Sequence, residues 1–244
     1  MSEDVVAALD SIKKLGIKVK INENSCEIYG NGINGFKYKK KLIINARNSG
    51  TLGRLLLGLL IKSPHKIKLI GDKSLSKRDF SRVTLPLKKF GAKFSYKTKN
   101  KLPLTILGAQ SVKGIRYLEN KGSAQCKSSV MFAALNASET TFIKAKKSRN
   151  HSELLFKYLK IPIKIKKTKK YDFIEVKKPK KINAFNYEIP GDISSSAFFM
   201  VLTTLTENSK LLIKNININP SRIGVVTILK KMGAKILLKN QKNY

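Results

Sequence analysis

The chain has 244 residues, 42% of them hydrophobic and 27% charged, enough for one large domain or two modest ones with real cores. Fifty Lys and Arg against 15 Asp and Glu give a formal net charge of +35. That excess admits polyanionic partners without naming one, because the basic residues are mostly Lys, spread from Lys13 to Lys242, with no nucleic-acid-binding motif beside them. No apolar run approaches a membrane span, the acidic start Met1-Ser-Glu-Asp-Val-Val6 is not a secretory signal, and Cys26 and Cys126 form neither a metal-ligand pattern nor a disulfide framework. A reducing cytoplasm is the simplest compartment.

In chain order, residues 2–15 read as an amphipathic helix, with Val5, Leu9, Ile12 and Leu15 on one face, Glu3 and Asp4 in the first turn and Gly16 as its stop. Short strands follow at 17–21 and 27–29. Residues 48–60 open as a polar turn, Asn48-Ser-Gly-Thr51, and continue as an apolar helix. A strand at 66–70 leads to a polar turn at 73–79. A second amphipathic helix places Phe80, Val83, Leu87 and Phe90 on one face, stops at Gly91, and carries Pro86 inside it, which costs about 3 kcal/mol or a kink. Strands are expected at 93–96 and 104–106.

The order then recurs. A small-residue helix is expected at 122–137, a strand at 141–145, a helix at 148–159, and strands at 163–165 and 173–176. Another small-residue helix occupies 191–205, with a strand at 211–216. A last helix is expected at 219–232, with Pro220 at its first position and Gly233 as its stop, before a strand at 235–238. The glycines that open the small-residue helices, Gly50, Gly122 and Gly191, are 72 and 69 residues apart (122 − 50 and 191 − 122). Such regularity marks stacked copies of one supersecondary unit, here strand–helix–strand–helix–strand–strand. The first amphipathic helix has no small-residue helix ahead of it and the last copy stops after one closing strand, so the expected reading is an internal fragment lacking both ends. Residues 1–184 then make up most of a first domain and 185–244 the beginning of a second.

Each polar turn at a helix start presents N–H groups at the positive end of a helix dipole, a setting suited to an anion and best to phosphate. The alternative at each is an ordinary capped helix, with Ser49 or Thr51 satisfying an N–H. Arg54, one turn in, could serve the same ligand or pair with an acidic neighbour. Arg78 can hold phosphate bidentately, and Ser123, Gln125 and Ser148 offer neutral donors. The repeat places equivalent turns at the same end of each unit, so Gly50, Arg78, Ser123, Gln125 and Ser148 are expected in one cleft. No nucleophilic triad, metal cluster or dinucleotide fingerprint is visible.

These residues carry a resemblance. Asn48-Ser-Gly-Thr51 with Arg54 resembles the N-[AS]-G-T-x-x-R motif of the enolpyruvyl transferases. Gly71-Asp-Lys-Ser-Leu75 with Arg78 resembles G-D-x-S-L-x-x-R-P of the branch that acts on shikimate 3-phosphate, except that Asp79 stands where that branch has Pro. Ser123-Ala-Gln-Cys-Lys-Ser128, Ser148-Arg-Asn-His-Ser-Glu153, Pro190-Gly-Asp-Ile-Ser-Ser195 and Asn219-Pro-Ser-Arg222 with Gly224 continue the series in order over nearly the whole chain. The branch acting on UDP-N-acetylglucosamine is a poorer match, since its reactive Cys lies in a loop whereas Cys126 falls in an expected helix.

The resemblance implies an α/β (α+β) fold of repeated βαβαββ units, a two-domain inside-out α/β barrel incomplete here at both ends. It implies transfer of the enolpyruvyl group from phosphoenolpyruvate to the 5-hydroxyl of shikimate 3-phosphate, with release of phosphate. By position, Gly50, Arg78 and Gln125 would contact phosphoenolpyruvate, and Ser123, Ala124, Gln125 and Ser148 would contact shikimate 3-phosphate. The family's acid–base residues have no match in this chain, so catalytic residues stay unassigned and the chain is expected to be inactive alone. No cofactor, metal, membrane or specific nucleic acid is implied, and the full-length form is expected to be a monomer. A non-catalytic phosphate-binding remnant and a basic nucleic-acid-binding protein are the alternatives. Asp79 beside Arg78 is expected to weaken phosphate binding there.

Overall fold

The computed structural model describes residues 1–241 and divides into two compact units, Met1–Ala184 and Phe185–Tyr244. In the first, α1 (Glu3–Lys14) is followed by an antiparallel pair, β1 (Lys18–Ile21) and β2 (Cys26–Tyr29). The buried face of α1 is Ala7, Leu9 and Ser11, while Val5 is exposed. Ser11 is accommodated inside because its hydroxyl donates to the Ala7 carbonyl at 2.7 Å.

Two copies of one unit follow. The first is β3 (Leu42–Asn45), α2 (Gly50–Leu59, extended by a 3-10 turn at Leu60–Lys62), β4 (Ile67–Ile70), a short α3 (Lys73–Lys77), α4 (Ser81–Lys89), β5 (Lys93–Tyr96) and β6 (Leu104–Leu107). The second is β7 (Arg116–Glu119), α5 (Ala124–Ala134), β8 (Thr141–Lys146), α6 (His151–Tyr158), β9 (Ile163–Lys167) and β10 (Tyr171–Val176). Both sheets have the same topology. The order is β3-β4-β6-β5 in one and β7-β8-β10-β9 in the other, with the first two strands parallel and the rest antiparallel. This is the expected βαβαββ unit, seen twice.

One hydrophobic core runs through the first unit, from Leu15 to Val176. Its centre is the packing of α2 on α5, and this is where the small residues are needed. A Cβ on Gly58 would overlap the Ser129 carbonyl, so the two helices approach backbone to backbone. The sheets lie with one face on this core: Ile44, Ile67, Leu69, Leu104 and Ile106 in the first, Ile143, Ala145, Ile174 and Val176 in the second. Helices inside and sheets outside give the inside-out arrangement.

Several local expectations change. β3 and β7 are strands that the sequence reading passed over; each finds its partner in a later strand, with which it pairs in parallel. The expected polar turn at 73–79 contains α3, because Asp72 caps it by accepting from the Leu75 N–H at 2.6 Å. α4 runs through buried Pro86 and gives up one backbone bond there.

In the second unit, α7 (Ile193–Leu205) and α8 (Gly224–Lys231) pack on each other. The expected strand at 211–216 is reduced to one parallel bridge, Gly191 to Ile216. The interval of that bridge matches the Asn45–Ile70 and Glu119–Ala145 pairings to within one residue, so a third copy of the unit begins here. α8 starts at Gly224 rather than at Pro220, because the Asn219 side chain accepts from the Ser221 N–H at 2.8 Å and closes a separate turn. Residues 235–238 are not a strand, having no paired neighbour among the described residues. No described helix is long and apolar enough to cross a membrane.

Candidate functional site

The first unit gathers its polar turns at the N-termini of α2 and α5. At α2, Ser49 is the cap, its hydroxyl accepting from the Leu52 N–H at 3.2 Å. Capping leaves the adjacent turn open to a ligand, so the two readings of this motif are compatible. Asn48 donates to Asp72 at 2.5 Å, and the Asp72 N–H donates to the Arg47 carbonyl at 2.8 Å. The turn at 47–49 and the turn that opens α3 are therefore tied together.

That tie brings Arg78 over Gly50. A Cβ on Gly50 would lie 2.8 Å from Arg78 Nη1 and 3.1 Å from Arg54 Nη1, so the absence of a side chain is what admits both guanidiniums. Arg54 is held from two sides. Its Nη1 donates to Gln125 Oε1 at 2.7 Å, and its plane sits 5.4 Å from the Phe80 ring centre. Gln125 completes the link to α2 by donating to the Thr51 hydroxyl at 2.8 Å. Burial pulls the Arg54 guanidinium below its ordinary pKa, opposed by Cys126 and Asp79 and reinforced by Arg78 and Arg82. An anion between Arg54 and Arg78 would relieve that repulsion.

At α5, Ser123 caps the helix by accepting from the Cys126 N–H at 3.3 Å. Glu119, at the end of β7, orders the turn before it. Its buried carboxylate accepts from the Ser123 N–H at 2.9 Å and from the Lys121 N–H at 3.3 Å, and pairs with Arg82 at 3.1 Å. Lys127 reaches the other way. Fully buried, it donates to the Arg149 carbonyl at 3.0 Å and pairs with Glu153 at 2.5 Å, while the Ser128 and Ser152 hydroxyls meet at 2.7 Å. These bonds hold the 148–150 turn against α5. The Ser148 hydroxyl is buried without a hydrogen-bond partner, an orphan that costs free energy until something meets it.

Of the expected site residues, Gly50, Arg78 and Gln125 stand together with Arg54 and Thr51. Ser123 and Ala124 open the helix that carries Gln125. Ser148 joins them indirectly: a Cβ on Gly122 would lie 3.2 Å from the Lys147 carbonyl, and Lys127 holds Arg149. The third turn, at Gly191, belongs to the second unit. There Asp192 caps α7 and pairs with Arg222 at 2.8 Å.

Sequence reading missed Arg82, Glu119 and Lys127. The signal for Lys127 was its position as the one charged residue of α5. A charge inside an otherwise small and apolar helix demands a buried partner. The carboxylates at the cluster are engaged, Glu119 as described, Asp72 by Asn48 and the Leu75 N–H, and Asp79 by the Ser81 N–H and hydroxyl, each of the last two at 2.7 Å. No group of three His, Cys, Asp or Glu among the described residues could hold a metal. A hollow of about 230 Å³ opens nearby between Glu3, Asp4 and residues Arg47, Asn48 and Ser49, but its two carboxylates disfavour an anion.

The family model for EPSP synthase (3-phosphoshikimate 1-carboxyvinyltransferase) matches residues 1–243. Among similar proteins, the 3-phosphoshikimate 1-carboxyvinyltransferase of Oenococcus oeni is 40% identical over 99% of this chain and 54% of its own length. That of Thermoanaerobacter sp. is 37% identical, over 99% and 56%, and that of Bacillus subtilis 36% identical, over 97% and 54%. A solved EPSP synthase from Acinetobacter baumannii superposes with a TM-score of 0.88 at 33% identity, covering all of this chain and 54% of that one. The chain thus spans about half the length of the curated relatives it matches.

Proposed function

The chain belongs to the EPSP synthase family, and on that footing we propose that it serves enolpyruvyl transfer from phosphoenolpyruvate to the 5-hydroxyl of shikimate 3-phosphate, with release of phosphate. The observation that carries this is the pair of guanidiniums, Arg54 and Arg78, converging on the uncovered Cα of Gly50 beside Gln125. Two cations at a helix N-terminus make an anion site of the kind a phosphorylated carboxylic acid needs. Gly50, Arg78 and Gln125 are assigned to phosphoenolpyruvate. Ser123, Ala124, Gln125 and Ser148 are assigned to shikimate 3-phosphate, with the orphan Ser148 hydroxyl donating to it.

The chain's part in the reaction is binding and charge stabilisation rather than proton transfer. Glu119 is locked in an ion pair and Asp79 in a turn, so neither is poised to move a proton. Enolpyruvyl transfer needs a general acid–base group, whose loss typically costs 10²–10⁴-fold. We place the reaction in the cytoplasm, with a monomeric protein.

Calorimetry with shikimate 3-phosphate, followed by phosphate release with phosphoenolpyruvate, tests both halves of the proposal. Saturable one-to-one binding is expected from the 244-residue chain, with turnover appearing only in a hybrid that continues into the sequence of a relative. No saturable binding would remove the substrate assignment. Binding with no turnover even in the hybrid would favour the second reading, a phosphate-binding protein without catalysis, which the engaged state of these carboxylates also fits.

A further inference from the structure

Strand alternation sends successive residues to opposite sides of a sheet. In the β7-β8-β10-β9 sheet the inward set includes the buried Ile143, Ala145, Ile174 and Val176, with Glu119, Thr141 and Asp172 buried at its margins. The outward set is different in kind. Pairing aligns Arg116, Phe142, Glu175 and Lys164 in one row across the four strands, and Leu118, Lys144, Phe173 and Lys166 in the next. Lys146 stands opposite Tyr171 beyond them. Leu118 is 55% exposed, Phe142 36% and Phe173 39%, and the lysines and Arg116 are exposed throughout.

Cations and rings are interleaved there. The Arg116 guanidinium lies 4.7 Å from the Phe142 ring centre, and the Lys144 ammonium lies 4.8 Å from that of Tyr171 and 5.7 Å from that of Phe173. Glu175 is the one carboxylate in these rows.

The first sheet is an internal control, because it has the same topology. Its outward residues are Ile43, Lys68, Thr105 and Ser95 in one row, with Asn45, Ile70, Leu107 and Lys93 around them. No aromatic ring is among them. The repeat architecture therefore does not require the aromatic and basic face, which is particular to the second copy.

We propose that this face binds single-stranded nucleic acid without sequence preference. Phe142 and Phe173 take bases, and Arg116, Lys144, Lys146, Lys164 and Lys166 take phosphates. Phe142 and Phe173 sit on neighbouring strands in diagonal register, about 7–8 Å apart at their Cα atoms, a separation that successive bases of an extended strand can bridge. Exposed cation–π contacts are weak, so a base can displace a cation from a ring and leave it to the phosphate. Only unpaired bases offer their faces to such a platform. The inference is independent of enolpyruvyl transfer and holds or fails without it.

The test is fluorescence anisotropy of a labelled oligothymidylate of about 12 nucleotides, within the reach of one binding fold. Inorganic polyphosphate, duplex DNA and phosphatidylserine vesicles serve as competitors. The full chain should bind the single strand with a log–log salt slope of about −3.5, at about 0.7 per phosphate for the five contacts. Phe142→Leu/Phe173→Leu keeps the face apolar and should weaken the single strand about tenfold while leaving polyphosphate unchanged. Lys68→Ser/Lys93→Ser on the first sheet should change single-strand binding less than about twofold, as peripheral charges do. Circular dichroism of each variant confirms that the sheet is retained. The proposal is overturned if the leucine variant binds the single strand as the parent does, if polyphosphate competes as well as an oligonucleotide of equal charge, or if duplex or vesicles bind more tightly.

Discussion

At the scale of single residues, Gly50 separates binding from stability. It is the first residue of α2, where Ala is the better helix former by up to about 1 kcal/mol. The added methyl would meet Arg78 Nη1 at 2.8 Å and turn that guanidinium away. Gly50→Ala is therefore expected to leave the urea midpoint unchanged or slightly raised while phosphoenolpyruvate titrations show anion binding weakened about tenfold or more, as when one charge-assisted contact is lost. A lowered midpoint with unchanged binding would contradict the geometry. Asp79 gives a second case. Hydrogen bonds from the Ser81 backbone N–H and then its hydroxyl hold this carboxyl below its ordinary pKa. A carboxyl lowered by folding contributes stability above its unfolded value near 4 and loses it as pH falls through the folded value. Asp79→Asn keeps an acceptor for Ser81 but removes the charge beside Arg54 and Arg82. It should shrink the loss of stability between about pH 4 and pH 2 and strengthen phosphate binding at pH 7. Gly50, Arg78 and Gln125 were legible because turn chemistry and a motif mark them. Arg82–Glu119 was not, since the two are 37 residues apart and meet only once α4 and β7 have docked.

At the scale of elements, the core pair α2 and α5 depends on small residues and on one buried charge. Gly58→Val would drive a branched side chain into the Ser129 carbonyl, with an expected loss of about 1–3 kcal/mol or more from overpacking. Lys127 is more instructive, because its ammonium ties α5 to both α6 and the 148–150 turn. Lys127→Met strands Glu153 in the core, and breaking a buried pair from one side costs about 3–5 kcal/mol. Lys127→Met/Glu153→Leu removes both charges and should recover most of that stability. The turn would still lack its bond to the Arg149 carbonyl, so shikimate 3-phosphate affinity should stay low in the double variant while the unfolding midpoint returns. Recovery of both would make the pair purely structural. The order of elements was readable from periodicity and repeated glycines, whereas β3 and β7 were not. A four-residue strand such as Arg116–Glu119 carries its identity in its partner β8, not in its own composition.

At the scale of the whole molecule, the two units differ in how much they bury. The first holds nearly all the buried apolar side chains, while the described part of the second buries Ile193, Val226 and Leu229. α7 makes the contrast plain. It carries no charged residue and its apolar residues are Phe198, Phe199, Met200, Val201, Leu202 and Leu205 among others, yet Phe198 and Leu205 are each 79% exposed, and Phe199 and Leu202 are each 62% exposed. A helix of that composition is normally buried. The repeat explains why the sequence shows this helix so clearly: its glycine, cap and small residues are those of α2 and α5, which meet each other in the core. The expected consequence is a steep gradient in amide exchange within one chain. Amides of α2 and α5 should exchange only through global opening, while those of α7 exchange orders of magnitude faster through local opening. Hydrogen exchange read by mass spectrometry on peptides covering 50–59, 124–134 and 193–205 would measure it. Equal protection of all three would mean that α7 is covered in solution. Raising temperature or denaturant should then remove α7 first, as a separate low-amplitude transition, before the cooperative loss of the α2–α5 core.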